Sequence, residues 1–252
     1  MPGYYVHLAA SNPLARKNRS FVCGIESPDL LKKYYSSYGL DGAREKYNII
    51  KTNDMPDFLY FESRVQQREN NLSSNGMHYG WSSNPNVICY WDSLTKSEKQ
   101  NPFYIGYLWH LLTDLFMYKY LNIESKLSGF AEQHKDDKNI SELMKTEYKK
   151  LHSDWDKTNS KIKSTYPDVV LTPEVLELDV VKFINDDQLA YVDWNIIKSI
   201  TDYMRTINPL DQDINKIIDE IMSFLPEQND YSIGTLNKKL TLSKYKKIKR
   251  GV

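Results

Sequence analysis

Two residues four positions apart, in a strongly apolar stretch, are the clearest candidates for chemistry in this chain. His110 and Asp114 lie in GYLWHLLTDLFMYKY, where the helical repeat places them on one face. Burying an imidazole and a carboxylate without partners is costly, so a cation bound between them is physically sensible. The alternative is a hydrogen-bonded His–Asp pair that stabilises the core. The pattern therefore predicts either a metal site or a buried polar pair.

Three further residues with metal-binding side chains lie in apolar surroundings. One histidine is in YYVHLAA, one aspartate follows a proline in FVCGIESPDLL, and another histidine is in NGMHYGW. Imidazole and carboxylate suit zinc, and they also accept manganese or iron. We therefore predict a site for one or two ions, zinc being the first choice. The predicted ligands are His7, Asp29, His78, His110 and Asp114.

A second group of polar residues shares one face of a later helical stretch. His152, Asp156 and Asn159 stand at positions i, i+4 and i+7. This face is either a solvated, salt-bridged surface or a source of an extra metal ligand or substrate contact. His134, in EQHKDDKN, is predicted to be exposed and unrelated to any site.

Helical periodicity dominates the sequence and predicts an all-α, single-domain helical bundle. The domain is expected to cover residues 1–240, followed by a basic tail at 241–252. The tail is expected to be a solvated end, with contact to RNA or anionic lipid as the alternative. The predicted helices are Tyr4–Ala15, Ser20–Ile25, Pro102–Asn122, Ile140–Tyr166, Trp194–Ile207 and Asp211–Leu225.

Prolines and polar clusters predict the boundaries of these elements. Ser27-Pro28 is expected to end a segment and Asn101-Pro102 to open one. The β-rich pentamers VVKFI and QLAYV are compatible with a small β-hairpin near residues 180–192. The stretch Lys51–Gly76 is interpreted as a surface excursion that could serve as a lid.

Composition narrows the classes of function. The 33 basic and 33 acidic residues balance, so no overall field favours nucleic acid or an anionic membrane. We expect no transmembrane segment, because no run of about 18 apolar residues occurs. The N-terminal sequence lacks the pattern of a secretory signal, which predicts a cytoplasmic location.

The ligand-capable residues occur in an order that resembles the zinc-dependent phospholipase C family. The order is His7-Leu-Ala, then Gly24-Ile-Glu-Ser-Pro-Asp29, then His78-Tyr, then Gly106-Tyr-Leu-Trp-His-Leu-Leu-Thr-Asp114. The resemblance covers roughly residues 1–120. It implies an all-helical fold, of the superfamily that also contains single-strand nucleases, in which a metal-activated water attacks a phosphodiester.

The resemblance also implies roles for single residues. Asp29, His78, His110 and Asp114 would surround one zinc, and His7 would join Asp114 at a second, which makes Asp114 the bridge. Asp29 is also where the family would place a general base.

Two departures from the family pattern stand out. Secreted relatives use an N-terminal tryptophan as a ligand, whereas this chain starts Met1-Pro2-Gly3. The family's third metal uses two further histidines and a glutamate, for which His152-Ser-Asp-Trp-Asp156 is the nearest equivalent. A second metal shell would then be incomplete, and a third site is poorly matched.

The leading functional prediction is a metal-dependent hydrolase of a small phosphoester, either a diester or a monoester. The rivals are a catalytically inactive helical protein that keeps a structural or regulatory metal, and a protein-interaction module. The sequence contains no GxGxxG, GxxxxGK[ST], GxSxG or HExxH motif. Dinucleotide, P-loop, serine-hydrolase and common metalloprotease functions therefore have no support.

Overall fold

The framework of the chain is built from helices. The computed structural model describes residues 3–60, 77–79, 84–179, 181–226 and 231–249, with side chains up to Thr241. No residue in these ranges lies in a β-strand, so the all-α prediction is confirmed. The α-helices are α1 (Tyr4–Ala9), α2 (Arg19–Ile50), α3 (Val87–Asp92), α4 (Pro102–Leu121), α5 (Ile123–Gln133), α6 (Ile140–Thr165), α7 (Pro173–Glu177), α8 (Trp194–Arg205), α9 (Ile214–Phe224) and α10 (Ile233–Lys249).

Helix α4 is the centre of the hydrophobic core. All of its residues except Pro102 and Lys119 are buried, as expected for a helix that is apolar on every side. Asn101 caps its start by accepting a hydrogen bond from the Phe103 backbone N–H, and Pro102 occupies the first turn. The predicted opening of this helix at Asn101-Pro102 is confirmed.

Helices α2 and α4 cross at unusually close range because each has a glycine at the crossing. A Cβ on Gly24 would collide with the carbonyl oxygen of Phe103, and a Cβ on Gly106 would collide with that of Phe21. Neither obstacle is a flexible side chain, since both are backbone atoms. The two glycines therefore allow the helix axes to approach, and this approach brings the next turns of both helices together.

Pro28 lies inside α2, so the prediction that Ser27-Pro28 ends a segment was wrong. Helix α2 runs from Arg19 to Ile50 and is interrupted only at Gly39, whose φ of 68° and ψ of −173° are not helical. A proline inside a helix removes one backbone hydrogen bond and strains the preceding turn. The burial of Ser20–Leu31 compensates for that cost.

The first predicted helix, Tyr4–Ala15, is shorter than expected. Helix α1 ends at Ala9, and a separate 3₁₀ turn follows at Ala15–Lys17. Pro13 explains the early end, because a proline disfavours the helical conformation of the residue before it.

The prediction of a small β-hairpin near residues 180–192 was wrong. Residues 181–189 form an irregular segment that lies along α6. The Ile184 backbone N–H donates to the Asp156 carbonyl at 3.3 Å, and Lys157 donates from Nζ to the Gln188 carbonyl at 2.7 Å. Helix α6 therefore satisfies backbone groups that a hairpin would have paired with each other.

Two other predictions fall partly outside the described residues. The excursion at Lys51–Gly76 includes residues 61–76, and the basic tail includes side chains beyond Thr241. Across the described part of the chain, none of the helices combines the length and apolar character required to cross a membrane.

Candidate metal centre

The structure brings all five predicted metal ligands together. His7 comes from α1, Asp29 from α2, and His110 and Asp114 from α4. His78 comes from the short described stretch 77–79. The ligand atoms fall into two groups, each within 4.8 Å, and His110 belongs to both: His7, His110 and Asp114, and Asp29, His78 and His110.

Three ligand atoms form a nearly equilateral triangle. The Nε2 atoms of His78 and His110 are 3.2 Å apart, and they lie 3.4 and 3.3 Å from Oδ2 of Asp114. Two ligands that bind one tetrahedral zinc at about 2.0–2.1 Å are separated by about 3.3 Å. The triangle therefore has the spacing of three ligands that share one ion.

Asp29 and His7 complete the cluster on either side of this triangle. Oδ1 of Asp29 lies 3.9 Å from Nε2 of His78, while Oδ1 of Asp114 lies 3.3 Å from Nε2 of His7. The two oxygens of Asp114 thus face different imidazoles. The His7 ring also stacks on the His110 ring, with centroids 3.8 Å apart.

The cluster is buried, and several of its polar atoms have no hydrogen bond. All five residues are at most 4% exposed. Both ring nitrogens of His7 and both carboxylate oxygens of Asp114 lack a hydrogen-bond partner. Their closest mutual separations, about 3.3 Å, exceed the 2.7–2.9 Å of a charged hydrogen bond. Since buried polar atoms are normally satisfied, these side chains fit a metal ion better than a closed His–Asp network.

Charges within the cluster oppose the effects of burial. Burial would raise the pKa of the Asp114 carboxyl, but the facing His7 and His110 rings hold that pKa well below its usual range. The pKa of Asp29 is also lowered, because Lys32 and His110 outweigh its burial. Both carboxylates are consequently ionised at neutral pH, the state in which they bind metals.

The two stacked imidazoles respond differently to the same surroundings. Burial, helped by the neighbouring His110, lowers the pKa of His7. Burial would also lower the pKa of His110, but Asp114 and Asp29 raise it overall. Of these two rings His7 therefore stays neutral more readily, and a cation would compete with a proton more strongly at His110 than at His7.

Backbone carbonyls orient the ligands, and no pattern in the sequence predicted these contacts. Nδ1 of His110 donates to the Ile25 carbonyl at 2.8 Å, which directs Nε2 toward the cluster. The Tyr107 hydroxyl donates to the Met77 carbonyl and so fixes the backbone next to His78.

The second predicted group, on α6, does not join the metal ligands. His152 is exposed and Asp156 is half-buried. Asn159 is buried, and its side-chain amide donates to the Lys182 carbonyl at 3.1 Å. Neither His152 nor Asp156 belongs to a potential metal-binding group of His, Cys, Asp or Glu among the described residues. His134 is partly exposed and pairs with Asp137, away from the cluster.

A buried carboxyl that the sequence analysis did not single out lies one turn before Asp29. Glu26 is 2% exposed, and Oε1 accepts a hydrogen bond from Thr172 at 2.7 Å. Burial raises its pKa from an ordinary 4.5 to about 8. A carboxyl with a raised pKa stabilises the fold most at low pH, and that contribution is lost as the pH rises from 4.5 toward 8.

Glu26→Gln is therefore expected to remove this loss of stability at higher pH. At pH 5 the variant and the parent should be similar, whereas at pH 8 the variant should gain up to roughly 4 kcal/mol in free energy of unfolding. Urea unfolding at both pH values measures the difference, with the exposed Glu45→Gln as control. A gap between Glu26→Gln and parent that is equal at pH 5 and pH 8 would contradict the raised pKa.

Comparisons with known proteins give no relative: no family model, no curated protein and no solved structure matches this chain. The resemblance to zinc-dependent phospholipase C therefore stays a prediction. Independently of any relative, the buried His and Asp groups could hold a metal ion.

Proposed function

We propose that this chain binds zinc on its His/Asp cluster and hydrolyses a small phosphoester. The observation that carries the proposal is the convergence of three imidazoles and two carboxylates, which are buried and leave polar atoms without hydrogen bonds. The order of these residues, which resembles the zinc-dependent phospholipase C family, supports phosphoester chemistry as the reaction class.

The ligands divide into a shared centre and two flanks. The first ion would be held by Asp114, His110, His78 and Asp29. A second ion would be held by His7 and the other carboxylate oxygen of Asp114. Bound zinc lowers the pKa of a water ligand to about 7 and stabilises negative charge on phosphoryl oxygens. Manganese or iron would also accept this donor set.

A side chain of the cluster would accept the proton of the attacking water. Lys32 lies 3.3 Å from Oδ1 of Asp29 and favours its ionised form. An ionised carboxylate at the edge of the cluster can accept the proton of an attacking water. His110 is fixed by the Ile25 carbonyl and presents Nε2 as a lone-pair donor. Asp29 is therefore our candidate for the general base.

The depth of the cluster favours a second candidate, a structural metal in a protein without catalysis. His78 and Asp114 are both 0% exposed, and His7 and His110 are each 1% exposed. A closed shell of this kind is typical of ions that stabilise a fold. The cytoplasmic location and the absence of a nucleic-acid partner stay predictions from the sequence.

Asp114→Asn separates these possibilities. It keeps the shape of the side chain but removes the negative charge that faces His7, His78 and His110. We expect zinc affinity to fall at least about 100-fold, and turnover of chromogenic phosphodiesters and phosphomonoesters to fall at least as far. Zinc per chain and initial rates are the measurements, and Asp136→Asn, an exposed substitution of the same type, is the control.

Each pattern of results has a separate meaning. Turnover by the parent that Asp114→Asn abolishes supports the hydrolase. Zinc uptake without turnover, tested with zinc, manganese and iron, contradicts catalysis and supports the structural metal. Parent protein that takes up no metal contradicts both.

A further inference from the structure

The direction of the His7 ring is not fixed by a hydrogen bond. Within the described part of the chain neither of its nitrogens has a hydrogen-bond partner, whereas Nδ1 of His110 donates to the Ile25 carbonyl. His7 lies on α1, a helix of six residues, and helices this short are not stable in isolation. Apart from its stacking on His110, the direction of the ring therefore depends on the contacts that hold α1 in place.

Two arginines hold the C-terminal end of α1. The last carbonyl groups of a helix have no partner inside the helix and need donors from elsewhere. Arg16 donates from Nη1 to the Leu8 carbonyl at 2.7 Å, and Arg205, from α8, donates from Nη1 to the Ala9 carbonyl at 3.0 Å. Positive charges at this end of a helix are also favoured by its dipole. The turn that directly follows His7 is thus tied to two other parts of the chain.

One carboxylate joins the two arginines. Arg205 donates from Nη2 to both oxygens of Asp168, at 2.9 and 2.8 Å, and Nη2 of Arg16 donates to Oδ2 of the same side chain. Partial burial would raise the pKa of the Asp168 carboxyl, but Arg205 and Arg16 lower it overall. Asp168 is therefore ionised at neutral pH, and its charge keeps two guanidinium groups of like charge side by side at the end of α1.

We propose that Asp168 is a positioning residue for the metal centre, and that it acts through Arg16 and Arg205 to keep His7 facing Asp114. The inference rests on zinc binding in the proposed function and is independent of hydrolysis. Metal ligation tolerates errors of only about 0.2 Å in the ligand distances, so a small displacement of α1 would take His7 away from the ion. The remaining ligands lie on other parts of the chain and would stay in place.

Zinc affinity in a double-mutant cycle of Asp168→Asn and His7→Ala tests the inference. Asparagine keeps the size of the side chain but removes the charge that the two arginines share. Asp168→Asn should weaken zinc binding about tenfold, as loss of a group that orients a metal ligand does. In the His7→Ala background the same substitution should change zinc affinity less than about twofold, because the residue through which it acts is already missing.

Competition with a chelating dye measures the zinc affinity of each protein, and Asp186→Asn is the matched control. Asp186 is 43% exposed, against 44% for Asp168, and it also forms an ion pair. Its partner is Lys157 on α6, at 2.7 Å, instead of an arginine at the end of α1. Zinc affinity in Asp186→Asn should therefore equal that of the parent.

A second measurement needs no metal. Diethyl pyrocarbonate modifies accessible histidine side chains, and both His7 and His110 are buried in the parent. In metal-free Asp168→Asn we expect His7 to be modified at least about fivefold faster than in the parent, because α1 opens locally. His110 should stay protected, which excludes unfolding of the whole domain. Mass spectrometry of peptides measures the two sites separately.

Three results overturn the inference. The first is an unchanged zinc affinity in Asp168→Asn. The second is an equal loss of zinc affinity with and without His7, because Asp168 would then act on the whole fold. The third is equal modification of His7 in Asp168→Asn and the parent. Parent protein that binds no zinc contradicts the proposed function itself, and the modification of His7 then still decides whether Asp168 holds α1.

Discussion

Replacing His110 with alanine is expected to abolish metal binding and to lower the free energy of unfolding by about 3–5 kcal/mol. The imidazole belongs to both potential metal-binding groups, so its loss leaves neither complete. Alanine also removes the donor to the Ile25 carbonyl and the ring that stacks on His7. The negative charge of Asp114 then stays buried with less compensation.

Two measurements check this expectation: the zinc content per chain, and urea unfolding with and without a chelator. The part of the stability loss that is also measured with the chelator present is due to the protein's own contacts. The additional stability loss that is measured only with zinc present is due to the missing ion. His134→Ala is the control, since His134 lies at the surface, and it should stay within about 0.5 kcal/mol of the parent. Similar stability and zinc content in the two variants would contradict the metal centre.

Gly106→Ala is expected to have the second largest effect. The added Cβ meets the Phe21 carbonyl, which is backbone and cannot rotate away, so α2 and α4 must separate. We expect a loss of about 1–3 kcal/mol or more from overpacking. Because Asp29 on α2 and His110 on α4 lie beyond this crossing, zinc affinity should fall as well, although no ligand is changed.

Gly129→Ala is the control, and its expected effect on stability has the opposite sign. Gly129 lies within α5, and a Cβ there meets no atom within 4 Å. Alanine favours a helix over glycine by roughly 0.5–1 kcal/mol, so this variant should be slightly more stable. Thermal unfolding and zinc titration of both variants are the measurements. A stable Gly106→Ala protein with normal zinc affinity would show that the close crossing is not needed.

Local spacing was sufficient to predict the parts of the site that lie on one element. His110 and Asp114 are four residues apart, and the apolar residues around them predicted burial of both. The start of α4 followed from Asn101-Pro102, because the amide cap and the proline act within one turn. Such signals need no knowledge of the rest of the chain.

Features that depend on tertiary packing could not be predicted in the same way. Pro28 suggested a helix end, yet α2 continues through it because its first half is buried. The segment 181–189 has β-rich composition, but its backbone groups bind to α6. The approach of Asp29 to the histidines depends on Gly24 and Gly106, whose packing role becomes apparent only when the helices are known to cross.

The separation of the ligands along the chain has a consequence for folding. His7 and Asp29 are 22 positions apart, Asp29 and His78 are 49 apart, and His78 and His110 are 32 apart. An ion held by all four would close three loops at once and act as a reversible cross-link. The entropy of loop closure grows only slowly with length, about 0.6 kcal/mol for each doubling. Unlike a disulfide, which persists in the unfolded chain, the ion would bind only after folding has closed these loops, so it would stabilise the N-terminal half by its affinity for the folded state.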